Sequence, residues 1–248
     1  MKPVIKKRGI ILNSKDYKDN FKLLTILTID GPMNVILKGA NKMNSGTKKY
    51  TIIPIEVDFL VSQGKTLSTF TEGYIINNYT NLKNSYDKNM ISLVMIEKIL
   101  AFCEHVFNYE LFYNFVKKMF ELLDKYDFNE TILNIFEIKL LYLLGIAPNL
   151  NNCNRCQKIK TDLMLSITLG GCCCKECSNL IHCELTEEET KIFKYLYLIK
   201  LEKIDDNFLS LIANTQIKFD NFIDKYYEKY IDFYSSAKKV LKKYLKVK

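Results

Sequence analysis

The chain has 248 residues, 48% of them apolar, and a formal net charge of +8. That apolar share excludes a disordered chain. The longest apolar stretches, such as Leu140–Ile146, fall far short of the roughly 20 residues that a membrane-spanning helix needs. Arg8 and Arg155 are the only arginines, so the positive charge is carried almost entirely by lysine. A composition rich in Lys, Asn, Ile and Tyr is also what AT-rich coding produces, and part of the basicity reads as drift. The rest reads as a footprint for a polyanion, with lysine suited to diffuse phosphate attraction rather than to forked recognition of guanine edges.

From residue 1 to about 80 the hydrophobic period is two. Phe21, Leu23, Thr25, Leu27 and Ile29 alternate with their neighbours, as do Ile53, Ile55, Val57, Phe59 and Val61. Turn signals fall between the runs at Asp30-Gly31-Pro32, Asn44-Ser45-Gly46 and Gln63-Gly64-Lys65. They delimit about five strands, near 3–13, 20–29, 33–39, 51–61 and 66–77. Five short strands in this span fit a small closed barrel, of the OB type or the SH3-like type. The start, Met1–Asn13, passes directly from charge into alternation without the apolar core of a secretory signal, so a cytoplasmic location is expected.

After residue 80 the period becomes helical. Ile96, Ile99, Leu100, Cys103 and Phe107 form one stripe, and Phe112, Phe115, Val116, Met119, Phe120 and Leu123 another. Residues 131–144 are apolar on most sides and are expected at the buried centre of a bundle, stopped by Gly145 and Pro148. Helices resume at Thr186, where Thr186 and Glu189 make a capping box, and one long final helix is expected along a stripe from Phe219 to Tyr244. The fold class is therefore α+β. A barrel over 1–80 precedes a helical domain over 81–248, with a cysteine-rich module inserted at about 150–183.

Six of the eight cysteines crowd into Cys153–Cys177. Disulfides do not persist in a reducing cytoplasm, and such clustering indicates a metal site. Cys153 and Cys156, then Cys174 and Cys177, form two CxxC knuckles separated by 17 residues. Each tight turn presents two thiolates, and two turns complete the tetrahedron of a structural zinc, one per chain. Cys172, Cys173, Cys183 and His182 offer substitute ligands. A closed four-cysteine site leaves no open coordination position and does no chemistry.

Two further groups of residues bear on function. Lys6, Lys7 and Arg8 lie in the first strand, and Lys38, Lys42, Lys48 and Lys49 surround the loop after the third, where they can track a phosphate backbone. The run Lys238, Lys239, Lys242, Lys243, Lys246 and Lys248 contains no acid and reads equally as a solvated helix end. His105 reads as a core histidine within an apolar helix. No P-loop, GxSxG, HExxH or dinucleotide fingerprint occurs, and no Lys-x-Asp-Gly adenylation motif; an enzyme is not expected.

Several stretches taken together resemble the RecO family of DNA-repair recombination mediators. Lys38-Gly39-Ala40-Asn41-Lys42-Met43-Asn44-Ser45 is similar to that family's basic loop, in which Arg often stands where this chain has Asn41. Phe136-Glu137 through Leu144-Gly145-Ile146-Ala147-Pro148-Asn149-Leu150, running into Cys153 and Cys156, resembles its central helix and first knuckle. Gly170-Gly171 before Cys174 and Cys177 resembles its second knuckle, and Tyr230–Leu245 its closing helix. The resemblance implies an N-terminal OB-fold, a helical domain and a zinc module. It also implies binding of single- and double-stranded DNA, annealing of complementary strands, and contact with single-strand-binding protein and RecR, so that RecA loads onto coated DNA at the nucleoid. Lys38 and Lys42 are the positions to which DNA contact carries over. The alternative is an RNA-binding or ribosome-associated protein, since barrels and zinc ribbons also occur there.

Overall fold

The computed structural model describes residues 3–18, 20–42, 45–64 and 66–247. Met1, Met43, Asn44, Lys65 and Lys248, which enter the expectations above, lie outside the described residues. Packing divides the chain after Lys125 into two compact units.

The first unit opens with five strands: β1 (Val4–Tyr17), β2 (Phe21–Thr28), β3 (Gly31–Lys38), β4 (Ile55–Ser62) and β5 (Ser68–Asn77). They close into a barrel in the order β1-β2-β3-β5-β4, with β4 paired back onto β1. A parallel seam of Val35–Leu37 with Ser68–Phe70 joins β3 to β5. This is the OB order, and it decides between the two barrels that alternation allowed. The interior is filled by Leu24, Ile26, Val35, Leu37, Ile55, Val57, Phe59, Val61 and Phe70, with Phe59 stacked on Phe70 at 5.4 Å. On β4 the inward set is the one the alternation marks. On β2 both registers are apolar; Leu24 and Ile26 take the interior, while Phe21, Leu23 and Thr25 stay half-exposed.

Strand gives way to helix between Asn77 and Thr80, and α1 (Thr80–Asn84), α2 (Tyr86–Phe102) and α3 (Tyr109–Lys125) complete this unit. Helix α3 lies on the barrel exterior through one buried carboxylate. Glu56 of β4 is 1% exposed and accepts hydrogen bonds from the Tyr113 hydroxyl and the Lys117 ammonium, each at 2.9 Å. His105 is not in a helix core, as its apolar neighbours suggested. It sits exposed in the bend after α2, where Cys103 has already ended the helix.

The second unit is built on α4 (Asn129–Leu143), whose Ile132, Ile135, Phe136, Ile138, Leu140 and Leu141 are fully buried. Gly145 ends it at φ 71°. Its N–H bonds the Tyr142 carbonyl and the Ile146 N–H that of Leu141, the paired bonds that satisfy a helix C-terminus. A two-stranded sheet follows, β6 (Leu163–Ser166) with β7 (Gly171–Cys174), then the short α5 (Lys175–Ser178). Next come α6 (Glu187–Leu198), opened by the expected Thr186–Glu189 capping box, and α7 (Asp206–Asn214), capped by Asp205. The expected single long final helix is two helices, α8 (Asp220–Ile231) and α9 (Ser236–Val247). Asp232 turns left-handed at φ 49° and ends α8, and the Ser235 hydroxyl accepts the Lys238 N–H at 2.9 Å to start α9.

That break changes the reading of the C-terminal lysines. Lys238 is not solvated: its side chain is 2% exposed and lies 2.7 Å from Glu137, 2.8 Å from Asp224 and 3.4 Å from Asp220. Lys242 pairs with Asp224 at 2.6 Å. Burial disfavours the Lys238 charge, but the three carboxylates outweigh it and raise its pKa. Helices α4, α8 and α9 are thus joined by one ionic cluster.

Candidate metal centre and nucleic-acid interface

The cysteine module is held by its backbone before any metal is considered. In the first knuckle the Cys153 N–H donates to the Lys158 carbonyl at 3.0 Å, and the Gln157 N–H donates to the Cys153 carbonyl at 2.8 Å. The Asn154 N–H reaches the Cys172 carbonyl of β7 at 2.7 Å, which ties the first knuckle to the strand carrying the second. Arg155 donates to the Cys177 carbonyl at 3.3 Å. Gly170 turns the β6–β7 connection at φ 62°, and a Cβ there would stand 2.7 Å from the Tyr230 hydroxyl. That hydroxyl donates to Ile167 at 2.8 Å, so α8 clamps the turn.

The sulfurs of Cys153, Cys156, Cys174 and Cys177 all lie within 4.8 Å of one another. The Cys156–Cys174 separation is 3.9 Å. Four thiolates at about 2.3 Å from a zinc ion set tetrahedral edges of about 3.8 Å, and the donor set and spacing are compatible with that ion. Burial works against ionising Cys153, yet backbone N–H groups of Cys156, Cys174 and Arg155 bring its thiol down to about 6. Cys177 is pushed up to about 12 by desolvation first and then by the neighbouring thiols. Of the substitutes, Cys172 and Cys173 are buried in β7, and desolvation raises their thiols to about 11 and about 12. Cys183 is half-buried and His182 exposed; neither joins the four-sulfur group among the described residues.

The basic residues of the barrel fall into two groups. Arg8 grips Asp58 with both fork atoms, at 2.7 and 3.1 Å, and Lys6 stands 3.8 Å from the same carboxylate. The Arg8 hydrogen bond holds the Asp58 carboxyl below the usual range, against a smaller opposing effect of burial. Lys7 pairs with Asp30. Locally, then, these three cations are matched by carboxylates. Lys38 and Lys42, in contrast, are exposed and have no ion-pair partner among the described residues. Lys38 ends β3, and Lys42 follows a turn closed by its own N–H on the Gly39 carbonyl at 3.1 Å. Asn41 bonds Asp16, which also pairs with Lys22, so this acid is occupied.

Sequence reasoning missed the surface beside these lysines. Phe21 is the cross-strand neighbour of Lys38 and Leu23 that of Ile36, both on the half-exposed side of β2–β3. The signal was the double apolar register of β2: when both faces of a barrel strand are apolar, one of them faces out. An aromatic ring beside a cation can stack a base while the cation meets its phosphate.

Models of two family domains match this chain, Recombination protein O N terminal over residues 1–79 and Recombination protein O C terminal over 84–237. It is 30% identical over 244 residues to a DNA repair protein RecO of Oceanobacillus iheyensis, covering 94% of this chain and 91% of that protein. With the protein of the same name from Clostridium acetobutylicum the identity is 29% over 204 residues, covering 81% and 83%. With that from Bacillus subtilis it is 23% over 236 residues, covering 94% and 92%.

Proposed function

This chain belongs to the Recombination protein O family, with a role in DNA repair and recombination, and from that premise we propose that it is a non-enzymatic mediator gripping single- and double-stranded DNA by its phosphates. The observation that carries this reading is that Lys38, cross-strand neighbour of Phe21, and Lys42 in the following loop are exposed with no ion-pair partner among the described residues. Lysines there displace condensed counterions and Phe21 offers a face for an unstacked base. Lys6, Lys7 and Arg8 flank the DNA contact and reach a phosphate by exchanging it for Asp30 or Asp58. Charge on two strands is screened at once, so complementary strands meet and anneal. With single-strand-binding protein and RecR as partners, the protein helps RecA onto coated DNA at the bacterial nucleoid. Cys153, Cys156, Cys174 and Cys177 hold one structural zinc per chain, whose contribution is to fix the module's fold.

The test is fluorescence anisotropy with labelled single strands across a salt series. Lys38→Ala with Lys42→Ala should weaken binding alike on every sequence and flatten the log–log salt slope on single strands by about 0.7 for each phosphate no longer neutralised. An unchanged curve removes both lysines from the interface. Matched RNA strands in the same series separate DNA from RNA preference.

A further inference from the structure

The C-terminal lysines are not one run. At 3.6 residues per turn, Lys239, Lys243 and Lys246 fall within an arc of about 60° on α9. All three are exposed, and none has an ion-pair partner among the described residues. Lys238 lies about 100° round the helix from Lys239, and Lys242 stands at the margin of the row, about 40° from Lys246; Glu137, Asp220 and Asp224 take these two up. The carboxylates of α4 and α8 that face α9 are therefore spent on the inner lysines, and α9 itself contains no acid. Two exposed apolar side chains, Val240 and Val247, border the outer row.

Helix stability accounts for Lys246 in the last turn but not for Lys239 and Lys243. No acid occupies the first turn of α9, and Lys239 stands there, where the helix dipole disfavours a cation. Lys239 and Lys243 are like charges four residues apart, and Lys243 and Lys246 three apart, spacings that destabilise a helix. On other helices Lys191 pairs with Glu187 at 2.6 Å and Lys118 with Glu121 at 3.7 Å, whereas the exposed Lys225 of α8 has no ion-pair partner among the described residues. On α9 three such lysines stand together in one row.

We propose that this face, carrying Lys239, Lys243 and Lys246, is a second phosphate-backbone site, so that one chain holds two nucleic-acid strands at the same time. The inference rests on the DNA reading given above and adds to it a second place of contact on the other compact unit. From Lys239 to Lys246 the helix rises about 10.5 Å, a length over which one strand of a duplex presents about three phosphates. Flexible lysine side chains spread along that length can each reach a phosphate. Lysine without arginine gives attraction without base selection, which suits a site that must accept any strand. Val240 and Val247 supply apolar surface for sugar and base edges.

The experiment uses the full chain and short oligothymidylates, which cannot pair with one another. Native mass spectrometry counts strands per chain, and energy transfer between two dye-labelled strands reports bridging in solution. The wild type should carry two strands per chain. Lys239→Gln/Lys243→Gln/Lys246→Gln should carry one, lose the transfer signal and anneal complementary strands more slowly, while the corresponding triple Arg variant restores all three. A control of equal charge change, Lys200→Gln/Lys203→Gln/Lys218→Gln, should behave as wild type. Two strands on the α9 Gln variant, or equal loss in the control, overturns the inference. So does loss of binding to phosphatidylserine vesicles in the Gln variant with bridging intact, which would make the face a membrane contact. A wild type that captures no strand sinks the DNA reading as well. A Lys38/Lys42 variant that loses bridging beside an α9 variant that keeps it sinks this inference alone.

Discussion

Lys238 shows how one side chain ties the second unit together. A charge this deeply buried is tolerated because three carboxylates surround it, and removing it strips the buried Glu137 of its 2.7 Å ion pair. Lys238→Met should therefore lower unfolding free energy by about 3–5 kcal/mol in a denaturant titration, and a loss below 1 kcal/mol would show that the cluster is slack. Asp224 gives the pH dependence. Its own burial pushes the carboxyl up, but Lys238 and Lys242 outweigh that and hold it below the ordinary value of about 3.9. A depressed folded-state pKa contributes stability that is present above about pH 4 and is lost as pH falls through the folded value. Thermal melts of the wild type should thus drop on acidification below about pH 4, and Asp224→Asn should lower stability at neutral pH while shrinking that acid drop.

Among the elements, the β6–β7 turn is constrained by both its backbone and a neighbouring ring. Gly170 is left-handed and faces the Tyr230 hydroxyl at 2.7 Å, so Gly170→Ala should cost about 1–2 kcal/mol from the backbone alone, with a further steric part. In a Tyr230→Phe background the steric part should shrink; strictly additive losses would show that ring and turn do not press on each other. The same hairpin shows why parts of the fold were illegible. Leu163–Ser166 is too short to display a period, and its pairing with Gly171–Cys174 leaves no local mark. The barrel strands and the Thr186 cap were legible because alternation and capping are local. The split between α8 and α9 was not, since the apolar stripe runs on through Phe233 and only the left-handed Asp232 interrupts it. At the site, the four-sulfur group follows from spacing, whereas the division between paired Arg8 and unpaired Lys38 depends on which carboxylates the register brings alongside.

Taken as a whole, the molecule divides its labour. The first unit closes on a hydrocarbon interior and exposes Lys38 and Lys42 at one loop; the second relies on buried ions and on a thiol cluster. Chelation should therefore act on one unit. With Cys153, Cys156, Cys174 or Cys177 changed to Ser, elemental analysis should find far less than about one zinc per chain, whereas Cys172→Ser and Cys173→Ser should keep it. Removing the metal should cost several kcal/mol and raise hydrogen exchange through residues 150–183, leaving barrel amides as protected as before. Equal deprotection of the strands would mean that the two units share one cooperative transition.

Closure of the five strands into a ring has an outcome for sociability. An open sheet advertises a row of unanswered amides and carbonyls at its rim, and foreign segments can zip onto it as an extra strand. Here β1 is bonded on one flank to β2 and on the other to β4, and the brief stitch between β3 and β5 completes the hoop. Visitors to β1, β2 or β4 must read what the side chains display, and only β3 and β5 beyond that stitch keep backbone to lend.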